Sequence, residues 1–114
     1  MYVTNRKKTQ EKITPSGASI WWLLAEENGA PNFELRYFAI EEGHTTTGTP
    51  HSFEHEVYVT KGDGRIEGDG EVVSITEGDA ILIFSQEKHK IINTGKGKLE
   101  FICVILKGKE NSLK

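Results

Sequence analysis

The residues best suited to chemistry in this chain are its histidines. Of the four present, His44, His51 and His55 fall within twelve residues, and His89 follows more than thirty residues later. Neutral imidazole binds Mn, Fe, Co, Ni, Cu and Zn, so a convergent set is a candidate metal site. Taken singly, each histidine reads as a surface or hydrogen-bonded residue. The stretch "TPHSFEHEVYV" sharpens the question. If it is extended, Thr49, His51, Phe53, His55 and Val57 share one face, and Ser52, Glu54, Glu56 and Tyr58 share the other. On a straight strand His51 and His55 would stand about 13 Å apart, too far for one ion. A bend or bulge within "HSFEH" is therefore required. His89 opens an apolar run after a charged loop, where a neighbouring strand could carry a third imidazole to the same place. His44 sits in a Gly-flanked turn; it either orders that loop or reaches the pocket rim.

The elements that position these residues are strands. Ala18–Ala25, Asn32–Ile40, His55–Gly62, Ala80–Phe84, His89–Asn93 and Leu99–Leu106 carry β-branched and aromatic residues between turn residues. Gly64–Ile75 reads as a hairpin turning at Asp69-Gly70. Helical spacing with caps is nearly absent. Seven or eight short strands indicate an all-β antiparallel sandwich or barrel. The 114 residues suit one domain, with polar, loose ends over about residues 1–12 and 108–114.

Charge and composition narrow the partners. The net charge is −3, which argues against nucleic acid. No apolar run is long enough to span a membrane, and a single cysteine, Cys103, rules out an internal disulfide; both favour the cytoplasm. "SIWWLL" and "FICVIL" are apolar at odd and even positions alike. Such strands are buried on both faces, so their outer face meets either a folded-back segment Met1–Thr14 or a second subunit, and a homodimer is the expectation. By alternation, Phe53, Val57, Phe84, Ile91, Phe101, Cys103 and Ile105 line the interior, which suits a small, partly apolar ligand. Arg36 is the one clearly placed basic candidate for that pocket, its alternative being a surface ion pair. Cys103 is either a pocket residue or a small core residue.

Two stretches resemble the paired motifs of the cupin superfamily. The first family motif runs Gly, five residues, His-x-His, three or four residues, Glu, six residues, Gly; here Gly43, Thr49-Pro50-His51, His55 and Gly62 hold those places. The second runs Gly, five residues, Pro-x-Gly, two residues, His, three residues, Asn; here Gly78, Phe84-Ser85-Gln86, His89 and Asn93 do. "TPHSFEHEVYV" looks especially like the "HxHPWEHEVFV" type of small single-domain cupin. The resemblance implies a double-stranded β-helix, or jelly roll, commonly dimeric, around one divalent transition metal (Mn, Fe, Ni, Cu or Zn). It implies His51, His55 and His89 as ligands. Thr49 stands where the family's first ligand histidine would be, which makes it a possible pocket residue. Three outcomes follow: open coordination positions for water, substrate or dioxygen; His44 as a fourth ligand; or a site without metal. Glu56 joins only if a bulge reverses the strand phase. The functions implied are a metal-dependent oxygenase or related enzyme acting on a small carbonyl or enol compound, or a non-catalytic cupin that binds a small ligand.

Overall fold

The computed structural model describes residues Met1–Lys114. Nine strands follow in chain order: β1 (Glu11–Ile13), β2 (Ser19–Leu24), β3 (Phe33–Ile40), β4 (His55–Lys61), β5 (Asp63–Glu67), β6 (Val72–Thr76), β7 (Ala80–Ile83), β8 (Lys90–Asn93) and β9 (Leu99–Leu106). The only helical pieces are three short 3-10 turns, at Arg6–Lys8, Glu26–Asn28 and Asn111–Leu113. No helix is long and apolar enough to cross a membrane.

The strands form two antiparallel sheets, ordered β1-β2-β3-β9-β4-β7 and β6-β5-β8. Their inner faces enclose one core, with Val57, Val59, Phe101 and Ile105 from the larger sheet against Ile66, Ile75 and Ile91 from the smaller. This is the jelly-roll cupin fold that the motifs imply. Expected strands reappear within a residue or two at most ends. β1 lies partly inside the stretch read as a loose end; its three residues pair with β2. The hairpin turn closes through the Gly68 amide donating to the Glu71 carbonyl, with left-handed backbone at Gly70.

The amino-terminal segment covers part of the doubly apolar strand. The Arg6 guanidinium lies over the Trp21 and Tyr37 rings, 4.9 and 4.4 Å from their centroids. Trp22 points the other way and packs on the core. An apolar strip stays open on the outer face of the larger sheet, where Phe33, Tyr58, Leu82 and Leu106 are exposed.

On β3 the interior takes the less apolar set. Phe33, Leu35 and Tyr37 alternate outward, while Glu34, Arg36, Phe38 and Ile40 are buried. Arg36 is fully buried, so its surface reading falls. The register explains its surroundings. Arg36 lies opposite Cys103 on β9, and Cys103 lies opposite Val57 on β4. His55 is two residues from Val57 on the same face of β4, opposite Ile83 of β7.

Candidate metal centre

The required bend is present. Ser52 and Phe53 turn before β4 begins at His55, so His51 folds back over the strand it precedes. The His51 and His55 ring centroids are 4.6 Å apart, and their Nε2 atoms 2.7 Å. Phe53 stacks flat on His51 at 3.7 Å.

His89 arrives from the chain before β8. Residues 44–51 run alongside 86–93 and bind them through backbone. The Asn93 amide donates to the His44 carbonyl, the His89 amide to Gly48, and the Gln86 amide to His51. Gly48 makes this close passage possible. Its φ is +67°, and a Cβ there would lie 2.4 Å from the Lys90 nitrogen. Gln86 replaces the family's glycine yet keeps its left-handed backbone, at φ +67°. The result brings one ring nitrogen from each of His51, His55 and His89 within 4.8 Å of the others.

The hydrogen bonds set the tautomers. Phe53 and Glu87 carbonyls lie 2.7 and 2.8 Å from Nδ1 of His51 and His89. A carbonyl only accepts, so each Nδ1 carries the proton and each Nε2 presents a bare lone pair to the centre. Carbonyl partners of this kind orient and tune metal-bound imidazoles. His55 differs. Its Nδ1 lies 3.3 Å from an Arg36 nitrogen and 3.1 Å from Cys103 Sγ. Arg36 can only donate, so in the metal-free protein His55 accepts at Nδ1 and donates from Nε2 to His51. Metal binding through Nε2 would move that proton to Nδ1, where Cys103 Sγ is the acceptor in reach. Burial foremost, then the Arg36 charge and the other two imidazoles, pushes the His55 pKa down to about 2. Burial also lowers that of His89, against a raising contribution from its bond to the Glu87 carbonyl. Both are therefore neutral at ordinary pH, the form a metal needs. The donor set fits a borderline divalent ion.

Beside the histidines lies a cavity of about 170 Å³. Phe38, Val57, Ile83, Ile91 and Phe101 make its walls apolar, and Arg36 and Cys103 also line it. Glu110, from the end read as loose, enters this cavity and meets Arg36 at 2.7 Å. Nothing in the local sequence marks Glu110; the signal is the buried arginine, which demands a counter-charge. Thr46, Thr47 and Gly48 also line the cavity. Thr49 does not; it is exposed. Its place as a pocket residue is corrected accordingly. Phe84 is corrected too. Ile83 takes the inward position at the end of β7, so alternation sends Phe84 out, 61% exposed. His44 is exposed and outside the trio, and its carbonyl serves the loop pairing. Glu54 and Glu56 are exposed on the outer side. Phe53 buttresses the histidines rather than lining the cavity.

Comparison with known proteins agrees with this fold. The cupin domain family matches residues 36–105. The oxalate-binding protein of Thermotoga maritima is 40% identical over 57 residues, covering 49% of this chain. That alignment spans 47% of the relative, about half its length. Among solved structures, the polyketide cyclase RemF from Streptomyces resistomycificus superposes with a TM-score of 0.85 at 23% identity, over 93% of this chain and 79% of the other. A predicted oxalate decarboxylase from Thermotoga maritima gives 0.81 at 23% identity, over 93% and 99%. A cupin 2 domain-containing protein from Halorhodospira halophila gives 0.75 at 29% identity, over 86% and 77%. With the jelly roll and both histidine stretches inside the matched segment, the chain belongs to the cupin domain family.

Proposed function

We propose that this chain is a metal-binding cupin that acts on a small carbonyl or enol compound. One observation carries the reading: two imidazoles held by carbonyls aim bare Nε2 atoms at the centre shared with a third. Without a cation the His51 lone pair takes only the His55 Nε2 proton and the His89 lone pair has no hydrogen-bond partner, and a cation can satisfy both. A divalent ion held by three neutral histidines keeps its full charge and open positions, so it can polarise a chelating oxygen ligand or, if redox-active, support oxygenase chemistry. The protein's own part is to hold the imidazoles, keep bulk water out with apolar walls and present Arg36 to the ligand. The exposed Thr49 supplies no fourth ligand, which supports the open-position reading.

A second reading is kept by one observation: the curated relative is an oxalate-binding protein by name. Here the chain would bind its ligand without turnover. The reading further pairs two copies through the open apolar strip and places the protein in the cytoplasm, where Cys103 stays a free thiol.

Elemental analysis of untagged protein tests the centre. The expected result is close to one Mn, Fe, Ni, Cu or Zn per chain, lost in His89→Ala. Protein that takes up none of these ions overturns the reading. Oxygen consumption over a panel of diketones and phenols then separates oxygenase from binding protein.

A further inference from the structure

The most unusual group in the cavity is Arg36. It is fully buried, and its Nε is the one buried side-chain nitrogen or oxygen that lacks a hydrogen-bond partner. One terminal nitrogen is spent on Cys103 and His55, the other on Glu110. A guanidinium can offer a carboxylate two parallel N–H bonds; here both terminal nitrogens have partners and Nε alone has none. A buried cation with a free donor is expensive to keep unless something arrives to complete it.

Glu110 is a poor permanent partner. It sits in the segment after β9, not in the sheet, and its side chain stays partly exposed, 23%, where that of Arg36 is 1%. The segment is fastened on both sides of it. Before it, the Gly108 amide donates to the buried Glu34 carboxylate. After it, Lys114 reaches Glu27 and Glu34. Trp22 donates to the Leu113 carbonyl from below. The glutamate side chain can therefore leave Arg36 while its backbone stays in place.

We propose that Arg36 is the anchor for a ligand carboxylate, and that Glu110 is its internal competitor, displaced when the ligand binds. The substrate class of the centre then becomes an acid: a short carboxylate with a carbonyl or enol oxygen a few bonds away. His55 defines the span. Its Nδ1 edge faces Arg36 and its Nε2 edge faces the other imidazoles, so the acidic end and the metal-directed end lie on either side of one ring. A cavity of about 170 Å³ holds a small molecule only. This inference rests on the metal-binding reading for the ligand's second end, but not for its carboxylate.

A matched pair of probes tests it: 2,4-dioxopentanoate and 2,4-pentanedione, which share the diketone and differ in the carboxylate. Binding is measured by calorimetry on zinc-loaded protein, where turnover needing a redox metal is silent, and on metal-free protein. The Glu110→Gln variant keeps the shape and removes the charge, and Glu110→Asp keeps the charge. We expect Glu110→Gln to tighten the acid at least tenfold in both protein forms. The diketone should change less than twofold, and Glu110→Asp should track the parent. An acid affinity unmoved by Glu110→Gln, an equal gain for the diketone, or no measurable binding of the acid in any form overturns the proposal. Protein that takes up neither zinc nor any of the other four ions yet shows the gain supports the Arg36 anchor and overturns the metal reading alone.

Discussion

Cys103 shows how one side chain can set the chemistry of another. It lies 3.1 Å from His55 Nδ1 and 3.0 Å from an Arg36 nitrogen, the sole acceptor able to take the Nδ1 proton once Nε2 is given to a metal. Cys103→Ala should therefore weaken metal affinity about 10-fold or more, while Cys103→Ser, which still accepts, should weaken it less. Competition against a chromophoric chelator measures both. Acidification acts on the same residue. An unfolded His55 binds a proton below its ordinary pKa of 6.5, whereas the folded one resists to about 2. Between those values the unfolded state holds the extra proton, so falling pH removes stability. The loss is about 1.4 kcal/mol per unit for such a group. Metal-free protein should thus show a lower urea midpoint at pH 5 than at pH 7. Holo protein should release its metal over the same descent, since protons compete for the same lone pairs.

Among the elements, the crossing of residues 44–51 with 86–93 does most to build the site, and it turns on Gly48. A Cβ there would collide with Lys90 backbone at 2.4 Å, from a backbone angle that L residues avoid. Gly48→Ala should cost more than about 2 kcal/mol in urea denaturation and depress metal affinity with it, because His51 and His89 are held by the same crossing. Strands were legible from composition and turns, and so was the need for a kink inside "HSFEH", which geometry alone demanded. The histidine trio was legible through its resemblance to the cupin motifs. The phase of β3 was not. Leu35 and Tyr37 look like core residues, yet they face out because Glu34 and Arg36 have partners inside: the Glu26 and Gly108 amides for one, Glu110 and Cys103 for the other. Buried charge paired across long sequence distances leaves no local pattern. Phe84 misled for a related reason, since one residue of shift at the end of a strand reverses its face.

At the scale of the whole molecule, the open apolar strip calls for a partner. Phe33, Tyr58, Leu82 and Leu106 are 60, 50, 46 and 44% exposed on one face of the larger sheet. Sedimentation equilibrium should find a dimer, and Leu82→Glu should shift it to monomer without removing the metal; a parent that sediments as a monomer contradicts the pairing. The larger sheet also has a temporal character. Its centre is β9, bonded to β3 on one side and β4 on the other, and β3 meets β9 across roughly sixty to seventy residues of chain. Until Leu99–Leu106 leaves the ribosome, the sheet lacks its middle. Arg36, Cys103 and the histidines then have no common wall to gather on. Contacts of such separation form slowly, over milliseconds to seconds in barrels of this class. A growing chain therefore carries His51, His55 and then His89 without their shared wall until β9 is made, and gathers them only afterwards.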